Sequence, residues 1–336
     1  MELEKTLNTR YGKFLLRPFR DEDEDAVIHL WEKVFRQKML PEIWKWKFTD
    51  NPFGMQIMLC LNSMGNPVAM YAGIPFHASW QGQHVRFTHP VDVLSHPDYR
   101  AAVSGRKGLF VQTADHFFDV YAGPHSSVFL YGFPGSKSYR IGQIFLDYRL
   151  INKGSSYHLA DLKKFGKEKC ITTGFIDKIS HDNMVFDQLW KSARKYYPFA
   201  VIRDNMFMKW RFFDHPKNKY NIYVYKNWLG KVISYGVILT RNNCASIIDI
   251  FSLPDKKALS CLITRIAKDL VSDEIKNFEV WIPINHFISK FLMEFGFREA
   301  NEPLGIFPVG RSFYEKLDFD FAAKHFFFTM ADGDLF

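Results

Sequence analysis

The strongest constraint on the fold of this chain is a sequence pattern that occurs twice. A block that begins with tryptophan and ends with proline appears in both halves, and three further blocks repeat in the same order. The matched blocks are WKFTDNP (46–52) and WRFFDHP (210–216), VAMY (68–71) and VISY (232–235), VDVLSHPD (91–98) and IDIFSLPD (248–255), and LDYR (146–149) and FGFR (295–298). Four collinear matches are hard to obtain by chance, so we infer a duplicated domain.

A duplication of this size predicts two domains, which also suits a chain of 336 residues. Residues 151–170 begin with a lysine-, glycine- and serine-bearing stretch (NKGSS, 152–156) and show little periodicity, as is typical of a linker. We therefore expect an N-terminal domain over residues 1–150, a linker over 151–170 and a C-terminal domain over 171–336.

Hydrophobic periodicity gives the order of elements in the first copy. A short strand ends at Pro18, and apolar residues at helical spacing between Ala26 and Phe35 follow an acidic run. The later elements are strands at 56–61, 68–74 and 84–94, a helix from Leu109, a strand at 127–133 and another helix. This order predicts the α/β class (α+β mixed), with a mostly antiparallel mixed sheet and helices on both faces in each domain.

Composition excludes several classes of protein. No run approaches the roughly 18 apolar residues of a membrane span, and the first residues lack the apolar core of a signal peptide, so we expect a cytoplasmic protein without a membrane partner. The 4 cysteines show no C-x-x-C spacing and the 12 histidines no H-x-x-x-H pair, which predicts reduced thiols and no metal. The net charge of +8 favours an anionic partner.

The order of elements resembles the GNAT superfamily of N-acetyltransferases, here in tandem. LRPFRDED (16–23) resembles the family's first strand and helix start, and FGF (295–297) resembles its late Gly-Phe ending. Between them, SGRKGLF (104–110) follows a strand and precedes a helix, as does the family's pyrophosphate loop, usually Q/R-x-x-G-x-G/A. The resemblance implies an N-acyltransferase with acetyl-CoA or another acyl-CoA as donor, and an amine of a small molecule, amino sugar or peptide as acceptor.

The loop also has a physical logic of its own. Backbone N–H groups and the positive end of the helix dipole can hold a pyrophosphate at a helix N-terminus, provided that no side chain blocks the approach. Gly105 and Gly108 permit that approach, and Arg106 and Lys107 add positive charge. The residues expected to bind the donor are Val93, Leu94, Ser95, Gly105, Arg106, Lys107, Gly108, Leu109 and Phe110. The loop departs from the family pattern, since Gly105 replaces Gln or Arg and Phe110 replaces the second small residue.

The second copy lacks such a loop. No glycine occurs from residue 237 to 295, and LPDKKA (253–258) leads directly from a strand into a helix. Because side chains would crowd a pyrophosphate at that turn, we expect the donor in the first copy only. The second copy would then line the acceptor cleft or complete the core.

Three residues are catalytic candidates under the resemblance. His89, on the fourth strand, lies near the place where the family often has its base, and imidazole titrates in the useful range. Asp92 is a second candidate, although Asp249 holds the matching place in the copy without a donor loop, which favours a structural role. The family's tyrosine acid is replaced by Gln143, and Tyr139, one helical turn earlier, is the remaining candidate.

Two other functions also fit tandem domains of this type. Peptidoglycan-type aminoacyltransferases resemble paired GNAT folds and take their donor from aminoacyl-tRNA, although this chain shows no long helical arm or basic tract for tRNA. The missing tyrosine and the altered loop also fit a non-catalytic GNAT-like scaffold. Nucleic acid is thus the less favoured partner.

Overall fold

The computed structural model describes residues 2–100, 105–151, 157–166, 174–180, 185–241, 243–270 and 275–336. The chain divides into two compact units. Unit 1 consists of Met1–His77, Val85–Leu150 and Ile306–Phe319, and unit 2 consists of Ala78–His84, Ile151–Gly305 and Asp320–Phe336.

Strands and helices are interspersed through the described residues. Those up to residue 150 are β1 (Lys5–Thr9), β2 (Gly12–Pro18), α1 (Glu24–Phe35), α2 (Pro41–Trp44), β3 (Gln56–Leu61), β4 (Pro67–Trp80), β5 (Gln83–Ser95), α3 (Pro97–Arg100), α4 (Leu109–Tyr121), β6 (Ser127–Gly132), α5 (Ser136–Phe145) and β7 (Arg149–Leu150). Those that follow are β8 (Tyr157–Asp161), α6 (Leu162–Gly166), β9 (Phe175–Ile179), α7 (Phe186–Ala193), β10 (Phe199–Val201), α8 (Asn205–Met208), β11 (Asn221–Lys226), β12 (Val232–Arg241), β13 (Cys244–Ser252), α9 (Lys256–Leu270), β14 (Asn277–Trp281), α10 (Phe287–Glu294), β15 (Arg298–Glu299), β16 (Val309–Ser312), α11 (Phe319–His325) and β17 (Phe326–Phe327).

Unit 1 is built on one mixed sheet with the strand order β1-β2-β3-β4-β5-β6-β16-β7. β5 and β6 run parallel, whereas β6 pairs antiparallel with β16, and β16 with β7. The helix between the two parallel strands, α4, packs its apolar face on the sheet: Val111, Ala114 and Phe117 lie in one buried cluster with Met58 of β3 and Tyr71 of β4. Burying each large apolar side chain contributes about 1.5–3 kcal/mol, which fixes the position of α4.

Unit 2 repeats this plan. Its sheet has the order β15-β8-β14-β13-β12-β11-β9, again with one parallel pair, β13 and β14. The long helix α9 lies against β11 and β12. It approaches closely because Gly236 has no side chain: a Cβ there would lie 3.2 Å from Ile266 Cδ1. The short strand β10 pairs with β17 and with Ala78–Trp80. The predicted mixed α/β fold is therefore confirmed.

The first repeated block forms the same local structure in both copies. Trp46 lies in a π-helical turn over Lys45–Thr49, and Trp210 lies in a π-helical turn over Lys209–Phe213. Each turn ends with the amide of the block's aspartate donating to a carbonyl five residues earlier, at 2.7 Å for Asp50 and 2.9 Å for Asp214. The equivalence inferred from the sequence thus extends to an uncommon backbone conformation.

The borders of the two units differ in two places from the predicted domains. Ile306–Phe319 belongs to unit 1 because β16 fills the position between β6 and β7. Ala78–His84 belongs to unit 2 because Ala78–Trp80 pairs with β10. Part of the predicted linker (152–156 and 167–170) lies outside the described residues. Within the rest of it, β8 pairs with β14, so this stretch also contains a strand of the unit 2 sheet.

The expected chemistry of the cysteines holds only in part. Cys60 and Cys244 are free thiols, and burial raises the pKa of each to about 12. Cys261 is disulfide-bonded, so the prediction of a reduced thiol is wrong at this position. Cys170 lies outside the described residues.

Two properties of the described residues bear on the class of protein. None of the helices in this part of the chain is both long and apolar enough to cross a bilayer. Within the same residues no group of three or more His, Cys, Asp or Glu side chains could hold a metal ion.

Candidate functional site

The parallel strands β5 and β6 diverge in the middle of the unit 1 sheet. Their register ends at the pair Thr88 and Leu130, and both strands continue, to Ser95 and Gly132. Backbone groups that leave a strand ladder need other hydrogen-bonding partners. Among the described residues of unit 1, the β5 backbone beyond Thr88 is therefore a place where a ligand can add to the sheet.

Buried polar side chains fix the point of divergence. Thr88 Oγ1 donates to Gln56 Oε1 at 2.8 Å and lies 2.6 Å from Ser127 Oγ, to which Gln56 Nε2 donates at 3.2 Å. Gly73 of β4 makes room for this network, since a Cβ there would lie 2.5 Å from Thr88 Cγ2. A closed network of buried hydrogen bonds specifies one arrangement of the three strands. This network was not predictable from the sequence, because its members are far apart along the chain.

His89 is the first residue beyond the divergence. Its ring is buried and stacks on that of Tyr131, with the centroids 5.3 Å apart, and its Nδ1 lies 3.2 Å from the Tyr131 carbonyl oxygen. A carbonyl only accepts hydrogen bonds, so Nδ1 carries the hydrogen and Nε2 is the basic nitrogen of the neutral ring. The histidine thus lies between the two strands, where the resemblance expects a base, and its catalytic role stays a prediction.

Asp92 has a different environment from His89, although both are on β5. Its carboxylate accepts from Lys47 Nζ at 2.9 Å and from Trp31 Nε1 at 3.0 Å, and its side chain is 8% exposed. Its backbone is left-handed (φ 49°), an uncommon conformation that aspartate tolerates better than most residues. These contacts favour the structural role: Asp92 ties β5 to α1 and to the π-helical turn.

The predicted donor residues lie at the end of β5 and at the start of α4. Val93 and Phe110 pack against the buried cluster beneath α4, whereas Arg106 and Lys107 are exposed. Gly105 has a left-handed backbone (φ 72°) and open space where a side chain would stand. Residues 101–104 lie outside the described residues.

The N-terminus of α4 has no side-chain cap among the described residues. Gly108 occupies the N-cap position with an extended backbone, and its amide donates to the Gly105 carbonyl at 2.9 Å. The first N–H groups of a helix have no partner within it and carry the positive end of the helix dipole. This end of α4 therefore has the backbone geometry that an anion requires.

The equivalent junction in unit 2 is filled by the protein's own side chains. Asp255 Oδ1 accepts from the amide of Ala258 at 2.9 Å, so a carboxylate caps the start of α9. At the end of β13, the Tyr197 hydroxyl donates to the Ser252 carbonyl at 2.7 Å and accepts from the Ser252 amide at 3.0 Å. The rings of Phe251, Phe327 and His286 surround that of Tyr197. These contacts support the expectation that the second copy holds no donor.

Tyr139 lies away from the buried cluster. It is on α5, partly exposed, and its ring stacks on that of Phe307 with the centroids 4.6 Å apart. No contact of Tyr139 with His89 or with the donor residues is seen among the described residues. Its assignment as the acid stays a prediction, and the geometry lends it no support.

A pair of tyrosines, one buried (Tyr71) and one partly buried (Tyr148), was not anticipated from the sequence. The hydroxyl groups of Tyr71 and Tyr148 are in short hydrogen-bonding contact, and Tyr148 packs against the same cluster as Val93 and Phe110. Burial raises the pKa of Tyr148 to about 12, so its hydroxyl is protonated at neutral pH. A signal existed, because Tyr148 belongs to the fourth repeated block, where the second copy has Phe297 and no hydroxyl.

The comparisons with known proteins agree with this architecture. Residues 16–142 match the family model of an acetyltransferase (GNAT) domain. Among curated proteins, none matches the chain.

Solved structures resemble most of the chain. A conserved protein of unknown function from Enterococcus faecalis V583, described as a probable N-acyltransferase, matches with a TM-score of 0.63 and 15% identity over 89% of this chain and 73% of that one. A GCN5-related N-acetyltransferase from Anabaena variabilis ATCC 29413 matches with a TM-score of 0.65 and 13% identity over 89% of this chain and 72% of that one. The N-myristoyltransferase of Saccharomyces cerevisiae with bound myristoyl-CoA matches with a TM-score of 0.51 and 12% identity over 91% of this chain and 83% of that one. The chain therefore contains an acetyltransferase (GNAT) domain over residues 16–142 and has the fold of the GNAT N-acetyltransferases.

Proposed function

We propose that this protein is an acyl-CoA-dependent N-acyltransferase that binds its donor in unit 1. The observation that supports this most directly is the contrast between the two equivalent strand–helix junctions. In unit 1 the helix start lacks a side-chain cap among the described residues, whereas in unit 2 Asp255 caps the helix and Tyr197 occupies the strand end. A protein that kept only the fold would have no need to leave one helix start without a side-chain cap.

In this proposal the donor lies along β5 and across the start of α4. Its pyrophosphate binds the first amides of α4, beside the exposed cations Arg106 and Lys107. Its pantetheine arm follows the backbone of Val93–Ser95, where β5 has separated from β6. The thioester then lies near His89, at the point of divergence.

The proposed reaction joins the acceptor nitrogen to the acyl carbon and breaks the carbon–sulfur bond of the thioester. The attacking amine must lose a proton, and His89 Nε2 is the basic nitrogen that the Nδ1 contact with Tyr131 leaves to accept it. The departing thiolate must gain a proton. Tyr148 is our preferred donor over Tyr139, because it packs against the same buried cluster as Val93.

The acceptor is a primary amine of a small molecule, an amino sugar or a peptide, and the acyl group is acetyl or longer. A structural neighbour has myristoyl-CoA bound, so the donors tested must include a long-chain acyl-CoA. The predicted cytoplasmic location is retained as part of the proposal.

Calorimetric titration tests the proposal. The protein should bind acetyl-CoA or a longer acyl-CoA and should not bind aminoacyl-tRNA, and mass spectrometry should then show an acylated amine in a panel of candidate acceptors. Binding of aminoacyl-tRNA alone would favour the aminoacyltransferase alternative. Binding of acyl-CoA without turnover on any amine, or binding of neither donor, would favour a scaffold.

A further inference from the structure

The hairpin that joins β11 to β12 in unit 2 ends in two exposed apolar side chains. Trp228 is 69% exposed and Leu229 is 68% exposed. Their turn is well defined: Asn227 Oδ1 accepts from the amides of Leu229 and Lys231 at 3.1 and 3.0 Å, and the Gly230 amide donates to the Asn227 carbonyl at 2.9 Å. The two side chains therefore project from a fixed turn.

The turn itself does not require these residues. The equivalent hairpin of unit 1, between β3 and β4, has the same bonds: Asn62 Oδ1 accepts from the amides of Met64 and Asn66 at 3.0 Å each, and the Gly65 amide donates to Asn62. Its tip is Ser63-Met64. Because one backbone frame accepts Ser-Met in one copy and Trp-Leu in the other, the fold does not explain the tryptophan.

A third apolar side chain lies beside the tip. Phe175 of β9 is 60% exposed and is the register partner of Lys226, the residue before the turn. The strands approach closely because Gly174 has no side chain: a Cβ there would lie 2.4 Å from the Lys226 carbonyl oxygen. A buried cluster that includes Tyr225 and Ala258 lies beneath this end of the sheet. The exposed apolar side chains therefore lie next to a buried, packed cluster of unit 2.

Lysine side chains flank the apolar tip on both strands, and Asp177 offsets the charge of one of them. Lys226 precedes the turn and forms an ion pair with Asp177 at 2.7 Å, and the exposed Lys231 follows Gly230. The whole chain carries a net charge of +8. Tryptophan favours the boundary between water and hydrocarbon, and lysines beside it are attracted to anionic headgroups.

We propose that Trp228, Leu229 and Phe175 form a peripheral docking surface for a lipid bilayer that carries anionic headgroups. A projecting hairpin tip enters the headgroup region without any helix crossing the bilayer, which agrees with the described part of the chain. The sequence alone led us to expect no membrane partner, since composition does not show which apolar residues remain exposed.

Co-sedimentation of the full chain with vesicles tests this surface. The vesicles are phosphatidylcholine alone or phosphatidylcholine with phosphatidylserine. The test variant is Trp228→Ser with Leu229→Met, which copies the tip of the equivalent turn and so preserves the hairpin. Met64→Ala in unit 1 is the matched control, since it truncates an apolar side chain that is 75% exposed.

Wild type and Met64→Ala should bind the anionic vesicles, and the tip variant should lose about tenfold or more of its partitioning, as expected for removal of the exposed tryptophan side chain. Binding should weaken when phosphatidylserine is omitted. The proposal is overturned if wild type stays in solution with anionic vesicles, or if the tip variant sediments equally well. A tip-dependent self-association in gel filtration without vesicle binding would also overturn it and identify a protein contact instead.

Discussion

The hydroxyl of Tyr197 engages both backbone groups of Ser252, donating to the carbonyl at 2.7 Å and accepting from the amide at 3.0 Å. Ser252 ends β13 as Ser95 ends β5, and the two serines occupy the same position in the repeated block. In our proposal the donor arm follows the backbone up to Ser95. A side chain of unit 2 therefore makes the contacts that a ligand would make in unit 1.

Replacement of Tyr197 by phenylalanine should affect stability and not donor binding. The change leaves the buried backbone groups of Ser252 without the hydroxyl, which should lower the free energy of unfolding by about 1–3 kcal/mol. Urea unfolding measures the free energy of unfolding, and calorimetry with acyl-CoA measures the affinity for the donor. A loss of donor affinity in a folded variant would show that unit 2 takes part in donor binding.

His89→Ala should reduce turnover by roughly 10²- to 10⁴-fold at neutral pH, as expected for the loss of a general base. Donor affinity should hardly change. The loss should shrink as the pH rises, because a larger fraction of the amine is then already neutral. An unchanged rate and pH profile would show that another group is the base. The variants Tyr148→Phe and Tyr139→Phe, measured in the same assay, distinguish the two candidates for the acid.

Asp92→Asn should weaken the fold more than the chemistry. Asparagine retains the left-handed backbone but removes the carboxylate that pairs with Lys47, at a cost of about 3–5 kcal/mol for a buried pair. Lys47→Met is the matched variant from the other side. Both should show lower unfolding midpoints and near-normal turnover of the folded enzyme. A stable Asp92→Asn protein without activity would instead make Asp92 catalytic.

Acid should destabilise unit 2 through His286. Burial lowers the pKa of this imidazole from 6.5 to about 3, whereas the unfolded chain binds the proton near the ordinary value. Because the unfolded state holds more protons between these two pH values, the free energy of unfolding falls as the pH drops through this window, by about 1.4 kcal/mol per unit well below 6.5.

The variant His286→Asn should flatten this pH dependence. Asparagine can still cap α10, where His286 Nδ1 accepts from the Ile288 amide, but it does not titrate. The pKa of His215 is also lowered to about 3, chiefly by burial, so part of the slope should remain. Urea unfolding at several pH values measures it, and an unaltered slope would contradict the assignment to His286.

Much of the fold was predictable because the repeat is local in sequence and each copy could check the other. The strand predicted over 56–61 has the same ends as β3, and the helix predicted from Leu109 begins at the same residue as α4. The position of β16 in the unit 1 sheet was not predictable from the sequence. β16 joins β6 because of long-range register, which no periodicity in the residues of β16 reveals.

The site was predictable where it depends on backbone and unpredictable where it depends on contacts. Gly105 and Gly108 point to the loop because a glycine indicates close approach of a ligand. The partners of Asp92 could not be inferred, since Lys47 and Trp31 lie far from it in the chain. Tyr148 was not predictable from the family pattern, because the family's acid lies within the helix, whereas Tyr148 follows α5.

The stoichiometry of donor binding tests the central claim most directly, when it is measured by calorimetry on wild type, Gly108→Asp and Asp255→Gly. The first variant gives α4 the carboxylate cap that Asp255 gives α9, at a position whose backbone (φ −60°, ψ 141°) suits any residue, and circular dichroism checks that the variant is folded. The account predicts one acyl-CoA per chain for wild type and for Asp255→Gly, and none for Gly108→Asp. Two donors per chain in wild type, or undiminished binding by a folded Gly108→Asp protein, would contradict it.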